Sequence, residues 1–238
     1  MPTNIIVEPM SRDFILWRCL HNGPLSKETI AQFPPDEAER WETHCAKNLP
    51  LLNKIMSVYQ TCAIVAKDGN QIVATLRFYP KILYSMKGAG LTPCLLQPFP
   101  VGISKDFVDN WFPPLEELHD KTLVVHCWTI APSFRMEIMS QPVVIWTRMA
   151  QELIRWSVEK RWEAIELTAY EETEVLYTQF GIPGRYFWEG LGFRIIKVGK
   201  ESSPWFLKFL DAMQEQISKR GLKPKVAQNK YTMRLELP

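Results

Sequence analysis

The chain has 238 residues, of which 46% are hydrophobic and 23% are charged. These proportions are ordinary for a globular protein, and a chain of this length can bury a full hydrophobic core without covalent cross-links. The formal net charge is only +2, which argues against the strongly basic surface of a nucleic-acid-binding protein.

The cysteines and the N-terminus indicate the compartment. The five cysteines are an odd number, and no Cys-x-x-Cys spacing occurs among them. This pattern favours neither a disulfide framework nor a zinc site. The N-terminus lacks a basic, apolar leader, and no stretch is long enough to cross a bilayer. We therefore expect a soluble cytoplasmic protein with no metal, membrane or nucleic-acid partner.

The first part of the chain, residues 1–60, is predicted to be helical. Ser11 or Asp13 could cap a helix that carries Trp17 on its apolar side. A second helix is predicted to start after Pro34-Pro35, and Pro50 is expected to interrupt it.

Residues 61–80 have the pattern of a β-hairpin. The apolar run Cys62–Ala66 and the strand Gln71–Tyr79 flank a turn that contains Asp68-Gly69, a typical hairpin signal. Residues 81–120 have no clean period and many prolines and glycines, so we expect a long loop or small insertion there.

Residues 121–238 alternate between strand and helix patterns. A strand at Thr122–Ile130, a helix from Pro142 and a strand at Glu163–Ala169 form a strand–helix–strand unit. The remaining predicted elements are a short helix at Arg185–Leu191, a strand at Phe193–Val198, a helix opened by Ser203-Pro204 and a closing strand at Tyr231–Leu237.

Three segments in this order resemble motifs of the GNAT superfamily of acyl-CoA-dependent N-acyltransferases. They are Ile130–Arg135, which resembles the end of the strand before the phosphate loop, Phe187–Phe193, which resembles an aromatic-Tyr-x-x-Leu-Gly-Phe motif, and Tyr231–Met233, which resembles the closing strand. The resemblance covers about residues 62–237. It implies a single α/β domain with a GNAT-like mixed central sheet and flanking helices. It also predicts that Val124–Ile130 and Glu163–Ala169 are parallel neighbours that diverge toward their C-terminal ends.

The resemblance also implies where the donor and the catalytic groups lie. Acyl-CoA or acetyl-CoA would bind where the strand ends and the helix from Pro142 begins, since a helix N-terminus suits a pyrophosphate. The implied cofactor-binding residues are Ile130, Arg135, Met136, Glu137, Ile138, Met139, Ser140, Gln141 and Trp188.

The candidate catalytic residues are His126 and Tyr186. His126 lies on the strand that lines the acceptor site in the family, and a histidine ordinarily titrates near neutral pH. Trp188 occupies the position where many members carry an acidic Tyr, so the nearby Tyr186 is the candidate acid. Cys127 follows His126 directly, and neighbouring strand residues are expected to point to opposite faces.

Two departures from the family pattern leave alternatives open. The segment Arg135–Gln141 contains no glycine, and Glu137 brings a negative charge to the predicted pyrophosphate site. The first hypothesis is an N-acyltransferase that acts on a small-molecule amine. The alternatives are a non-catalytic module of the same fold that binds a ligand or partner, and an enzyme resembling the acyl-homoserine-lactone synthases, which takes its acyl group from acyl carrier protein. A homodimer is compatible with each hypothesis.

Overall fold

The computed structural model describes residues 4–20, 22–85, 113–134, 142–172, 183–219, 221 and 223–238. Within these ranges one mixed sheet of seven strands has the order β1-β2-β3-β4-β5-β7-β6. The strands are β1 Ile6–Pro9, β2 Ala63–Asp68, β3 Gln71–Pro80, β4 Thr122–Ile130, β5 Ala164–Ala169, β6 Arg194–Lys200 and β7 Asn229–Glu236. Only β4 and β5 pair in parallel; the other described neighbours are antiparallel. The predicted α/β class with a mixed central sheet is confirmed.

Helices flank the sheet. They are α1 Lys27–Ala31, α2 Pro35–Tyr59, α3 Pro142–Glu159, α4 Arg185–Gly190, α5 Pro204–Ala212, α6 Gln214–Lys219 and α7 Pro224–Ala227. None of these described helices combines the length and the apolar character needed to cross a membrane.

The predicted hairpin is present as β2 and β3. The two strands pair antiparallel from Ala63 opposite Arg77 to Asp68 opposite Gln71. Gly69 in the turn has a φ of +57°, a left-handed conformation that glycine adopts without steric cost. Residues on both faces of β3 are buried after Gln71, so this strand lies inside the protein, while the turn residues Gly69 and Asn70 are exposed.

The helix predicted around Trp17 is wrong. Ile6–Pro9 forms an edge strand on β2, and residues 11–20 have no regular helix. The successive residues Ile15, Leu16 and Trp17 are all buried, so this part of the segment has no solvent-facing side. Its polar groups bond to the sheet, since the Leu16 carbonyl accepts from Arg77. Tertiary contacts have therefore outweighed local helix propensity.

The interruption predicted at Pro50 is also wrong. Helix α2 is continuous from Pro35 to Tyr59 with Pro50 inside it and exposed. A proline inside a helix costs about 3 kcal/mol. The residues Leu52, Ile55 and Met56 in the following turns are buried. Their burial offsets the cost of the proline, because tertiary packing supplies most of the stability of a helix in a protein.

The C-terminal helical stretch differs in one detail from its prediction. It is divided at Met213 into α5 and α6, and Phe206, Leu210, Met213 and Ile217 form a small core of their own with Ala227. Within the predicted insertion, short 3₁₀ helices occupy Lys81–Tyr84 and Leu115–Glu117. Residues 86–112 of that insertion lie outside the described residues.

The two faces of the sheet carry different cover. Phe78 packs on Trp156 of α3 at a ring distance of 5.2 Å, so its side of β3 faces that helix. Arg77 points to the other face, because successive strand residues alternate, and there it bonds to the segment of residues 11–20. Trp17 of that segment packs on Trp41 of α2 at 4.6 Å. The N-terminal segment therefore covers the Arg77 face, and α2 packs on that segment.

Candidate active site

The parallel strands β4 and β5 separate soon after they begin. They pair at Thr122 with Ala164, Leu123 with Ile165 and Val124 with Glu166. Both strands continue, β4 to Ile130 and β5 to Ala169, without further mutual pairing. The prediction of parallel, diverging neighbours is confirmed. From Val125 to Ile130, β4 therefore runs on without pairing to β5.

A buried carboxylate fixes the point where the pairing ends. The Glu166 carboxylate accepts from Lys81 Nζ and from Arg234 Nη1, each at 2.8 Å. Arg234 Nη1 also donates to Thr122 Oγ1 at 3.1 Å. Since Glu166 is only 7% exposed, these charge-assisted bonds satisfy a carboxylate that would otherwise be costly to bury. The base of the split between the strands is therefore rigid.

A β-bulge in β4 changes the direction of His126. Arg77 lies opposite Cys127, but Phe78 lies opposite Val125, so His126 is an extra residue without its own partner on β3. The His126 ring meets Tyr79, whose side chain is on the Arg77 face, at 5.4 Å. Cys127 is on that face too, because it is the partner of Arg77. The expectation that His126 and Cys127 point to opposite faces is wrong, and the bulge is the reason.

His126 is buried and uncharged at physiological pH. Its Nδ1 is 2.8 Å from the Tyr84 hydroxyl, and its Nε2 has no hydrogen-bond partner among the described residues. Burial, and after it the nearby positive charge of Arg77, lowers the pKa of His126 from 6.5 to about 3. The expectation that His126 titrates near neutral pH is therefore wrong. The imidazole remains neutral, with Nδ1 bonded to Tyr84 and Nε2 buried.

Arg77 is a fully buried cation at the centre of the sheet. Its Nη2 donates to the Leu16 carbonyl at 2.8 Å, while Nε and Nη1 have no partner among the described residues. Burial lowers the pKa of Arg77, but Tyr79 and three cysteine thiols outweigh that effect and raise it. A guanidinium is rarely buried in a protein unless a carboxylate or a full set of hydrogen bonds compensates its charge. Arg77 is therefore an unusual feature of this sheet. Sequence reasoning missed it, although a lone charge inside the apolar run of β3 was a usable signal.

Helix α4 packs against the far half of β4, as the predicted site requires. Trp188 is buried between Trp128 of β4 at 5.4 Å and Phe193 at 5.2 Å. Tyr186, in contrast, is 54% exposed, and its hydroxyl accepts from Arg185 Nη2 at 2.6 Å. The structure thus brings Trp188 onto β4, whereas Tyr186 is held at the surface.

Of the remaining predicted site residues, the structure describes Ile130 but not the segment Arg135–Gln141. Ile130 is buried at the end of β4, where the next residue, Ala131, bonds to the Val73 carbonyl at 2.9 Å. The segment Arg135–Gln141 lies outside the described residues, so its role in binding stays a prediction.

Tyr84 was missed by sequence reasoning because it falls in the irregular stretch after Pro80. Among the described side chains, no group of three or more His, Cys, Asp or Glu residues could hold a metal ion.

Comparisons with known proteins give structural similarity only. No family model matches the chain, and no curated protein matches it significantly. A GNAT-family acetyltransferase from Elizabethkingia anophelis, solved with acetyl-CoA bound, is 16% identical, with 98% of this chain and 99% of that chain covered and a TM-score of 0.43. A GCN5-related N-acetyltransferase from Kribbella flavida is 13% identical over 100% of both chains, with a TM-score of 0.42. Ard1 from Thermoplasma volcanium is 8% identical over 98% of both chains, with a TM-score of 0.45. At identities of 8–16% and TM-scores of 0.42–0.45, these similarities carry no conclusion about the activity of this chain.

Proposed function

We propose that this protein transfers an acyl group from acyl-CoA to a small-molecule amine. The observation that carries the proposal is the divergence of β4 from β5, whose pairing ends at Val124 and Glu166 although both strands continue. A strand edge can bind an extended chain through main-chain hydrogen bonds. The pantetheine arm of CoA is such a chain, since it contains amide groups that can pair with a strand.

The donor end of the site is supported by the position of α3. This helix follows β4 in the chain and begins at Pro142. The free N–H groups and the dipole of a helix N-terminus favour an anion such as the CoA pyrophosphate. The segment Arg135–Gln141 between the two elements is the proposed phosphate loop, with Arg135 as its cation.

The acceptor end is proposed to use His126 with Tyr84. The amine nitrogen attacks the thioester carbonyl carbon, the C–S bond breaks, and the amine loses a proton. His126 is neutral and its Nε2 has no described partner, so it can accept a hydrogen bond from the incoming amine, while Tyr84 fixes the ring through Nδ1. Because its pKa is about 3, we assign to His126 the orientation of the amine, and the amine proton passes to a water molecule. Tyr186 is the proposed proton source for the CoA thiolate.

One observation favours the non-catalytic alternative. Trp188 stands where the resemblance expects an acidic Tyr, and its indole is buried against Trp128 and Phe193. An indole N–H donates a hydrogen bond but is not a practical acid. A protein that binds CoA but transfers no acyl group would not need an acidic side chain at this position.

The experiment is a transfer assay with acetyl-CoA and a mixture of primary amines, in which mass spectrometry detects the amide product and free CoA. We expect product with the wild type and a loss of about tenfold to a hundredfold in kcat for His126→Gln. This loss is at or below the range of a general acid or base, because His126 only orients the amine. His119→Gln is the matched control, because His119 is exposed. The control is expected to retain wild-type kcat.

The alternatives predict other results. Calorimetric binding of CoA without any product would favour the binding module. Product from acyl carrier protein thioesters, with no binding of CoA, would favour the enzyme class that uses a carrier protein. If neither donor binds, the proposed function is wrong.

A further inference from the structure

Two thiols from distant parts of the chain meet beneath the N-terminal segment. Cys19 Sγ and Cys127 Sγ are 3.6 Å apart, although the residues are 108 positions apart in sequence. Cys19 is 1% exposed, whereas Cys127 on β4 is half-buried. Two sulfur atoms at this distance are in van der Waals contact, and a disulfide requires a further approach to about 2.05 Å.

Arg77 lies beside this pair and lacks a carboxylate partner among the described residues. The acidic groups that act on it there are Tyr79, Cys127, Cys19 and Cys62. Burial raises the pKa of Tyr79 well above 10 and that of Cys62 to about 12, so both stay neutral at pH 7. Cys127 and Cys19 are the two remaining acidic groups of this set beside the buried guanidinium. A cation beside a thiol favours the thiolate, which is the reactive form.

We propose that Cys19 and Cys127 form an oxidisable thiol pair, activated by Arg77, that reacts with peroxide to give a Cys19–Cys127 disulfide. The contact between the two sulfur atoms, their different exposure and the unbalanced buried cation all support this site. The proposal does not rest on acyl transfer, because it requires only the fold of the Arg77 face.

The reaction balances with hydrogen peroxide as the oxidant. The thiolate of Cys127, the more accessible sulfur, attacks one peroxide oxygen, and the O–O bond breaks to give a sulfenic acid and hydroxide. Cys19 Sγ then attacks the Cys127 sulfur, the S–O bond breaks, and the second water leaves with the Cys19 proton. Each sulfur loses one electron, and the two electrons reduce peroxide to two water molecules.

The disulfide would fasten the N-terminal segment to β4. That segment covers the Arg77 face, and its Leu16 carbonyl accepts from Arg77 Nη2. His126 lies next to Cys127 and on the same face. Oxidation would therefore hold the cover closed over the strand that carries the proposed acceptor site.

The test uses the reduced full-length protein treated with hydrogen peroxide, alkylated under denaturing conditions, digested and mapped by mass spectrometry. We expect a linked Cys19–Cys127 peptide pair lighter by two hydrogen atoms, with Cys62 still alkylated as a free thiol. Cys127→Ser is expected to abolish the link, and Cys19→Ser to leave a sulfenic acid on Cys127 that dimedone traps. Cys45→Ser is the matched control, since Cys45 is also half-buried but lies on α2, and it should form the link like the wild type.

The role of Arg77 is tested by rate. Arg77→Lys keeps the charge and should react within about threefold of wild type, whereas Arg77→Gln should react about tenfold more slowly, the effect of one pKa unit on the thiolate. Should Arg77→Gln fail to fold, urea-unfolded wild type replaces it, and the folded protein is expected to react at least about tenfold faster. The proposal is overturned if the folded wild type reacts with peroxide no faster than the unfolded chain. It is also overturned if Cys127 becomes linked to a cysteine other than Cys19.

Discussion

The buried imidazole of His126 makes stability depend on pH in a way that one substitution can isolate. Burial first, and Arg77 second, lower the pKa of His126 to about 3 in the folded protein, against 6.5 in an unfolded chain. Between these values the unfolded chain binds a proton at His126 and the folded protein does not. Acidification therefore favours unfolding, so the contribution to stability is present above pH 6.5 and is lost as the pH falls toward about 3.

The magnitude follows from the linkage relation. Over the range from about pH 6 to pH 4, wild type should lose about 1.4 kcal/mol of unfolding free energy per pH unit more than His126→Gln does. Glutamine does not titrate, and carboxylates elsewhere contribute equally to both proteins, so the difference in slope reports on His126 alone. Urea unfolding followed by tryptophan fluorescence at several pH values measures it. Parallel pH profiles for the two proteins would refute the reasoning, because they would require His126 to titrate alike when folded and unfolded.

Three further predictions concern other residues. Tyr84→Phe removes the hydroxyl that meets His126 Nδ1 and should cost about 1 kcal/mol of unfolding free energy at pH 7, measured in urea. Trp156→Ala empties the buried site against Phe78 and should cost about 3–5 kcal/mol, measured in the same way; a cost below about 1 kcal/mol would mean that this packing is absent. Glu137→Gln removes a negative charge from the proposed phosphate loop and should strengthen CoA binding by about 1 kcal/mol, measured by calorimetry at fixed ionic strength; unchanged affinity would place the loop elsewhere.

Local patterns predicted the sheet well. The Asp68-Gly69 turn predicted the hairpin, and the strand–helix–strand pattern together with the family resemblance predicted that β4 and β5 are parallel. Turn chemistry and the spacing of apolar residues are features that a single sequence displays. The prediction of a helix around Trp17 was wrong for the opposite reason. It is buried on all sides by distant parts of the chain, and such contacts leave no local period.

The site was predicted only in outline. His126 was named, but its environment depends on a bulge that shifts the register opposite Arg77 and Phe78. A one-residue bulge has no reliable sequence signature, since it is set by pairing with another strand. The contact between Cys19 and Cys127 across 108 positions is likewise visible only in the fold.

Hydrogen–deuterium exchange tests most directly whether acyl-CoA binds along β4 where this strand diverges from β5. Peptides that cover β4, β6 and the β2–β3 hairpin are compared with and without saturating acetyl-CoA. We expect slower amide exchange in the β4 peptide from Val125 to Ile130, because ligand amides would pair with this strand, and unchanged exchange in the solvent-exposed edge strand β6. Exchange in β4 that acetyl-CoA leaves unaltered would contradict the proposed binding along β4.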